Sequence, residues 1–401
     1  MERLLEGHRA LLFGAVWAGP LAVSTLADFG AEVIRVESRT YLDEWRFLLS
    51  PDRQNIEKGP FFHTVNRNTL GITLNLSQPR ARELAKALVK ISDVVVECRS
   101  PRVMKEWGLD YAVLREINPA LVMASMSGFG QTGPIADDVA YGPTLSAFSG
   151  LSGLVGYPGE PPLGMHRAYN DPAAAMSAIF AIVAALRHRA STGEGQYIDV
   201  SQLEAPLTWL GREVMDYTMN QRSAVPQGNR HPSMSPHGYY PCRGEDKWVT
   251  IACGTSEEWK ALCEATGNPQ WINDPGFADG YARLRNQEEL DRLIGEWTVN
   301  YTPTEAMEIL QKAGVAAVPC YTILDLVADP HAQEQGYFIA LPHPAEPDDF
   351  VYGNPWKLSE TPPEIRGHAP LLGEHNNYVF CRLCGVPQEE VDSLVLDKIV
   401  Y

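Results

Sequence analysis

The feature that most constrains the fold is a regular alternation of short apolar runs and helical patterns along the first 130 residues. The predicted strands are 11–13, 33–36, 94–97 and 121–126, and the predicted helices between them are 21–29, 79–92 and 111–117. Alternating units of this length form a parallel sheet that helices cover on its faces. The sequence therefore predicts an α/β fold whose large domain is Rossmann-like.

The composition changes at residues 223–238, where prolines and glycines cluster. Beyond this stretch, two apolar runs around 243–246 predict a β-hairpin, and Thr302 with Glu305 forms the pattern of a capping box at the start of a helix. A chain of 401 residues suits two domains. We therefore expect a large domain at 1–222, a small α+β domain at 223–335, and a partly helical tail at 336–401.

Charge and composition exclude several classes of function. A net charge of −17 repels phosphate backbones, so the sequence predicts no nucleic-acid partner, although a local basic pocket can still bind a small anion. No run of eighteen apolar residues predicts a membrane span, and the first residues lack the apolar segment of a signal peptide. The pair Cys381 and Cys384 has no second pair to complete a zinc site. We expect a reduced cytoplasmic protein without a metal.

A parallel sheet binds its ligands at the carboxyl ends of its strands. The chain has no G-x-G-x-x-G after its first strand, no P-loop, no G-x-S-x-G and no H-E-x-x-H. The turn from Val16 to Pro20 stands where a glycine-rich loop would be expected. Its small residues suit either a close approach of a ligand or a tight turn alone.

Asp171 precedes Pro172 and an apolar segment, 171–190, that predicts a central buried helix. Its position indicates the N-cap of that helix, where a carboxylate accepts free backbone N–H groups. The same position suits an ionised nucleophile, because a helix N-terminus stabilises negative charge. The residues by themselves leave both interpretations open.

Six segments together resemble the family III CoA-transferases, the group that contains the formyl-CoA, carnitine-CoA and benzylsuccinate-CoA transferases. They occur in the family's order and span nearly the whole chain, and the resemblance is closest to the benzylsuccinate branch. The segments are AGPLAVSTLADFGAEVIRVES at 18–38, NRNTLGITLNL at 66–76, MSGFGQTGP at 126–134, SAFSGLSGLVG at 146–156, TGEGQYIDVSQLEA at 192–205 and RGHAPLLGEHN at 366–376.

The resemblance implies a catalytic aspartate and a mechanism. Asp171 matches the family nucleophile, which attacks an acyl-CoA and then carries CoA as a β-aspartyl thioester. Coenzyme A is thus implied as the co-substrate, an acyl-CoA such as succinyl-CoA as the donor, and a carboxylic acid as the acceptor. The family fold further implies an interlocked, ring-like dimer, or a heteromer with a related subunit, in which the tail returns to the large domain.

The resemblance also implies where CoA binds, along the strand ends of the first domain. Val16 and Ala18 match backbone positions near the adenine, Leu74 and Tyr141 match the CoA channel, and Arg46 matches the arginine of the family's G-D-x-x-R pattern. The stretch after residue 97 departs from the family pattern, so the phosphate partners are nominated from nearby basic residues. The predicted CoA-binding residues are Val16, Ala18, Arg39, Arg46, Leu74, Cys98, Arg99, Lys105 and Tyr141.

Two aromatic residues are predicted to contact the acyl group. Trp17 stands in the loop that faces both CoA and substrate in the family, where formyl-CoA transferases carry a polar residue, and Tyr169 lies two residues before Asp171. An indole offers a flat apolar wall, which favours an aryl-substituted or bulky acid. The glycine-rich loop of the formyl-CoA transferases is absent, which argues against oxalate or formate.

Two alternatives remain at this point. A 2-methylacyl-CoA racemase shares the fold, but its histidine base has no counterpart here, since no histidine lies between His63 and His166. The second alternative is that the chain is a non-catalytic partner subunit of a heteromeric CoA-transferase. The presence of Asp171 favours an active chain.

Overall fold

A six-stranded parallel sheet organises the larger part of the computed structural model, which describes residues 3–48, 50, 54–165 and 167–401. The strand order is β3-β2-β1-β4-β5-β6, the order of a doubly wound Rossmann-like sheet. The predicted α/β class is thereby confirmed. The strands are β1 Arg9–Phe13, β2 Glu32–Glu37, β3 Thr69–Thr73, β4 Val94–Glu97, β5 Val122–Ser125 and β6 Tyr197–Asp199.

Helices cover both faces of this sheet. One apolar core contains residues of α1 and α7, and a second contains residues of α3, α5 and the chain's tail. Nearly every apolar side chain of the inner strands is buried, as expected where helices cover both faces. The helices are α1 Ala18–Asp28, α2 Pro60–Asn66, α3 Pro79–Lys90, α4 Pro101–Trp107, α5 Tyr111–Ile117, α6 Gly142–Phe148, α7 Asn170–Thr192 and α8 Gly211–Asn220.

Helix α7 differs from the prediction of a central helix that is buried all round. Ala178 and Ile182 are buried in the sheet core, but Phe180, on the opposite face, is 78% exposed. The sequence does not distinguish an apolar helix face that packs within the chain from an apolar face that is exposed on the surface of this chain. Within the described residues, α7 is also the single helix whose length and composition would suffice to cross a membrane.

The chain divides into two compact units. The first contains 1–152, 164–224 and 333–401, and the second contains 153–163 and 225–332. The second is built on an antiparallel sheet of order β7-β8-β9, and the predicted hairpin and the capping box between Thr302 and Glu305 are confirmed. Its elements are β7 His237–Pro241, β8 Trp248–Ala252, α9 Ser256–Ala265, α10 Gly280–Arg285, α11 Gln287–Thr298, α12 Pro303–Lys312, β9 Ala316–Pro319 and α13 Ile323–Ala328.

The tail covers the open edge of the large sheet. The N–H of Gly71 donates to His375 Nδ1 at 3.1 Å and that of Thr73 to Asn376 Oδ1 at 2.9 Å, so both donors of edge strand β3 are satisfied. The end of the RGHAPLLGEHN segment therefore has a structural role in this chain, since it covers edge strand β3. The remaining elements are α14 Pro330–Glu334, β10 Phe338–Ala340, β11 Phe350–Tyr352, a π-helix at Tyr378–Leu383 and α15 Gln388–Leu396.

A buried ionic cluster lies beyond the carboxyl end of β2. The guanidinium of Arg35 contacts the carboxylate of Asp43 at 2.5 Å. The guanidinium of Arg46 contacts Glu37 at 2.7 Å and Glu57 at 2.6 Å, and it also donates to the carbonyl of Pro370 at 3.2 Å. Such buried charges are tolerated only when each is paired and hydrogen-bonded. The cluster thus ties Asp43, Arg46 and Glu57, which follow β2 in the chain, to the end of that strand.

We expect Arg46→Met to lower the free energy of unfolding by about 3–5 kcal/mol, because it leaves Glu57 without a cation and leaves buried Glu37 with only the longer contact to Arg35, at 3.4 Å. Urea unfolding measures the loss. Arg102→Met is the matched control, because the side chain of Arg102 is 71% exposed and lies 4.0 Å from Glu106. The free energy of unfolding of this variant should be almost the same as that of the wild type. Equal midpoints for the two variants would show that the cluster is dispensable.

Candidate active site

The carboxyl ends of β1 and β4 form the point where the strand order reverses. Strand β1 lies between β2 and β4. After β1 the chain continues to β2 on one side, and after β4 it continues to β5 on the other side. Doubly wound sheets bind their ligands in the crevice at this point. The two loops that enter it are 14–18 after β1 and 98–100 after β4.

Small residues are needed in the first of these loops because Cys98 packs against it. A Cβ at Gly14, in this loop, would lie 2.4 Å from the sulfur of Cys98, and one at Gly19, in the first turn of α1, would lie 2.9 Å from it. Val16 has a φ of 69°, and its N–H donates to the carboxylate of Asp43 at 3.1 Å. The ionic cluster therefore holds this loop in a conformation that valine rarely adopts.

A cavity of about 750 Å³ opens at these loops. It is lined by residues that were predicted to act in catalysis, to bind CoA or to contact the acyl group. Gln202 and Phe61 form further parts of its wall. The nominated residues that line it are Val16, Trp17, Ala18, Cys98, Arg99, Tyr141 and Asp171.

A second cavity, of about 430 Å³, adjoins the first. The two share Tyr41, Arg99 and Ser100, and the second also contains Leu74. The guanidinium carbon of Arg99 lies 5.1 Å from the centre of the Tyr41 ring, and its buried Nε has no partner among the described atoms. Together the two cavities form a long groove that an extended ligand can follow.

Asp171 lies in the first turn of α7 and not at its N-cap, which corrects the sequence-based expectation. The helix begins one residue earlier, at Asn170, whose side chain bonds Ser146 Oγ at 2.5 Å and the carbonyl of Gln202 at 3.0 Å. The carboxylate of Asp171 is therefore not used as a cap and faces the larger cavity. Burial raises the pKa of Asp171 to about 6, and the N–H groups of Asp171 and Ala18 oppose that rise.

Gly142, the first residue of α6, is in close contact with Asp171. A Cβ at this glycine would lie 2.5 Å from Asp171 Oδ2 and 2.1 Å from the Cβ of Ala168. Any side chain here would displace the carboxylate. Gly142 thus acts as a positioning residue that leaves room for Asp171.

Three aromatic rings form one wall of the larger cavity. The ring centres of Trp17 and Trp45 are 5.5 Å apart, and those of Trp45 and Phe61 are 5.0 Å apart. The contribution of Trp45 and Phe61 was not foreseen, because it depends on the folding of the loop between β2 and α2. Trp17 is therefore part of a packed cluster as well as of the cavity wall.

Four nominated residues do not line either cavity in the described part of the chain. Arg46 is buried in the ionic cluster, and its carboxylate partners leave no guanidinium edge free for a phosphate. Arg39 and Lys105 are exposed, and Tyr169 is 45% exposed at the start of α7. The expectation that Arg46 binds the cofactor therefore finds no support in this geometry.

Sequence reasoning also missed Arg167 and Glu97. Arg167 lines the larger cavity, close to Asp171. Glu97 is buried at the end of β4, where it accepts the N–H of Arg99 at 2.8 Å, and burial raises its pKa to about 7. Arg167 could have been predicted as a site residue, because it is a cation that lies just before the helix predicted to begin at Asp171. Nothing in the local pattern distinguished Glu97.

Comparisons with known proteins identify relatives over almost the whole chain. The family model that matches residues 5–376 is described as CoA-transferase family III. Succinyl-CoA–D-citramalate CoA-transferase of Chloroflexus aurantiacus is 32% identical, with 99% of this chain and 98% of that protein covered.

Two further relatives agree with this result. The β subunit of the same organism's succinyl-CoA–L-malate CoA-transferase is 29% identical, with 99% of this chain and 98% of that subunit covered. The crystal structure of a CAIB/BAIF family protein from Brucella suis superposes with a TM-score of 0.86 at 30% identity, covering 96% of this chain and all of that one.

We expect Asp171→Asn to stabilise the protein at pH 8. With its pKa raised from 3.8 to about 6, the folded state binds the proton more tightly than the unfolded chain. Stability therefore falls as the pH rises from about 4 to 6, and the ionised carboxylate destabilises the fold above that range by about 1–3 kcal/mol.

Urea unfolding at pH 4 and pH 8 measures this effect. The gain from Asp171→Asn should vanish near pH 4, where the carboxyl of the parent protein is largely protonated. Asp137→Asn is the control, because that side chain is exposed. A loss of stability at pH 8, or an equal effect at both pH values, would contradict the prediction.

Proposed function

Because this chain belongs to CoA-transferase family III, we propose that it transfers CoA from succinyl-CoA to a carboxylic acid through a covalent intermediate on Asp171. The observation that carries the proposal is the carboxylate of Asp171. It faces a cavity at the switch point of the sheet, it is not used as a helix cap, and no cation pairs with it among the described residues.

The first half of the reaction loads CoA onto the enzyme. The ionised carboxylate of Asp171 attacks the thioester carbonyl of succinyl-CoA, the C–S bond breaks, and a mixed anhydride and the CoA thiolate form. The thiolate then attacks the aspartyl carbonyl of the anhydride. Succinate leaves, and Asp171 carries CoA as a thioester.

The second half repeats these steps in reverse with the acceptor. The acceptor carboxylate attacks the aspartyl thioester, so an anhydride forms and the CoA thiolate leaves once more. The thiolate attacks the acceptor carbonyl, which yields the new acyl-CoA and restores the Asp171 carboxylate. Every bond broken is replaced by one of similar energy, so no ATP is needed.

The surroundings of Asp171 suit this chemistry. Partial burial makes the carboxylate a stronger nucleophile than an exposed one, since less water must be removed before attack. The N–H of Ala18 at the start of α1 points to the carboxylate and suits the negative oxygen that develops on the attacked carbonyl. The N-terminus of α7, which contains Asp171, adds positive potential.

Coenzyme A is proposed to lie along the two adjoining cavities. Arg99 lines both cavities, and its Nε has no partner among the described atoms. In a chain of net charge −17, it is the cation best placed to bind a CoA phosphate. The other lining residues proposed to contact CoA are Val16, Ala18, Leu74, Cys98 and Tyr141. Arg39 and Lys105 remain proposals for the cofactor's outer end.

The aromatic wall supports an aryl-substituted acceptor, such as a benzylsuccinate, as a second candidate. Trp17, Trp45 and Phe61 present ring surface to the larger cavity. Flat apolar surface of this kind binds an aryl group better than a short chain. Tyr169, outside the cavity wall, is proposed to contact only a longer substituent.

A second chain is proposed to cover the open face of α7. Met176, Phe180 and Val183 lie on this face, and an apolar surface of this kind is typical of an interface. The partner is a second copy or a related subunit, as in the heteromeric relative described above. A cytoplasmic location remains part of the proposal, together with the absence of a resident metal.

We expect Asp171→Ala to reduce CoA transfer by about 10³-fold or more while the protein stays folded. The chain is purified alone and assayed with succinyl-CoA and a panel of acids. Asp137→Ala, at an exposed aspartate outside the cavity wall, is the control.

Hydroxylamine trapping adds a direct measurement. Wild-type protein incubated with succinyl-CoA should carry the label on Asp171 in a mass spectrum of its peptides. A label elsewhere, or near-normal turnover by Asp171→Ala, would refute the mechanism. Activity that appears only after a related subunit is added would instead identify this chain as a non-catalytic partner.

We expect Trp17→Gln to lower kcat/KM for aryl-substituted acids by about 10–200-fold, which is roughly 1–3 kcal/mol of transition-state binding, and to affect short acids little. Trp248→Gln, in the second unit and outside both cavities, is the control. Equal losses for all acids, or a wild type that prefers short acids, would reject the aryl candidate.

A further inference from the structure

The charges that line the larger cavity are unevenly distributed. Only two described lining residues are cations, and one of them, Arg99, also belongs to the adjoining cavity, where its guanidinium packs on Tyr41. Arg167 is therefore the one described cation that lines the larger cavity alone. The charged residues of its wall are Glu44, Arg99, Asp138, Arg167 and Asp171.

Arg167 is exposed, and it differs from the buried arginines of this chain in having no partner among the residues that the structure describes. Arg46 is neutralised by Glu37 and Glu57, whereas the guanidinium of Arg167 makes no ion pair and no hydrogen bond with any described residue. An unpaired guanidinium in a cavity wall is available to a ligand. Its five donors bind a carboxylate in a bidentate manner that lysine cannot reproduce.

The backbone around Arg167 is fixed relative to Asp171. The N–H of Tyr169 donates to the carbonyl of Arg167 at 3.0 Å, and the N–H of Asp171 donates to the carbonyl of Ala168 at 3.1 Å. Ala168 in turn packs against Gly142, which also borders Asp171. The cation and the proposed nucleophile therefore stand on one short, hydrogen-bonded turn.

We propose that Arg167 binds the second carboxylate of a dicarboxylic acid while the first carboxylate reacts at Asp171. This inference rests on the proposed function and specifies its substrate class. Glu44 and Asp138 in the wall, and the net charge of −17, repel a dianion unless a local cation compensates. Arg167 supplies that cation at the reacting end of the cavity.

The same residue serves both halves of the reaction. Succinyl-CoA carries a free carboxylate on its acyl group, and a dicarboxylic acceptor carries one after its first carboxylate has reacted. Donor and acceptor occupy the acyl site in turn, so a single guanidinium recognises both. A site that hydrogen-bonds a substrate group discriminates strongly against analogues that lack it, which makes Arg167 a determinant of specificity.

The test compares kcat/KM for glutarate with kcat/KM for glutaramate, its monoamide of nearly the same shape, because kcat/KM of the acceptor in a ping-pong reaction is independent of the half-reaction with succinyl-CoA. Arg167→Gln should lower kcat/KM for glutarate at least tenfold, about 1.4 kcal/mol, and should change kcat/KM for glutaramate by less than twofold. Arg167→Lys should recover part of the activity with glutarate. Arg115→Gln, exposed on α5 and outside both cavities, is the control.

Calorimetric titration of glutarate into the enzyme with free CoA present separates this inference from the proposed function. Weaker binding of glutarate to Arg167→Gln than to wild type supports the inference without any turnover. Equal losses for glutarate and glutaramate, or unchanged glutarate affinity, would overturn it and leave CoA transfer intact. Absence of transfer by the wild type, with normal glutarate titration, would count against the proposed function alone.

Discussion

The buried ion pair between Arg35 and Asp43 is the interaction on which the architecture of the cavity depends. Asp43 accepts from Arg35 at 2.5 Å, from the N–H of Val16 at 3.1 Å and from the N–H of Trp45 at 3.0 Å. One carboxylate thereby joins strand β2, the loop after β1 and the aromatic wall. Burying charge is unfavourable by itself, so this arrangement persists only because both carboxylate oxygens accept hydrogen bonds and Arg35 supplies the opposite charge. The hydrogen bond from Val16 to Asp43 thus ties the loop at the switch point to strand β2.

Asp171, which lines the same cavity as this loop, lies in an unfavourable environment. Its carboxylate is partly desolvated, no cation pairs with it in the part of the chain that the structure describes, and a side chain on Gly142 would collide with it. The rest of the large unit compensates through two extensive apolar cores on the faces of the sheet. Reactive groups are usually found in such a region, where backbone strain and desolvation are confined to a few residues and the packed core supplies the stability.

Local patterns were sufficient to predict strands β1, β2, β4 and β5 of the sheet, the capping box at Thr302 and the proximity of Asp171 to a helix start. These features depend on residues close together in sequence. Three others depend on tertiary pairing and could not be read in advance. The loop after β2 folds so that Arg46 meets two carboxylates, residues 153–163 join the second unit, and one face of α7 stays open. The role of an arginine depends on the carboxylates that fold against it, which is why Arg46, predicted to bind the cofactor, lies instead in a buried ionic cluster.

The packing of Cys98 between Gly14 and Gly19 has a consequence for redox chemistry. Burial raises the pKa of this thiol, and its sulfur donates to the carbonyl of Ala15 at 3.6 Å. The thiolate is the form that exchanges with disulfides and reacts with peroxides, so a thiol kept protonated and confined by two glycine backbones is slow in both reactions. Cys98 therefore resists both exchange with a disulfide and oxidation by a peroxide, although its side chain lines the groove.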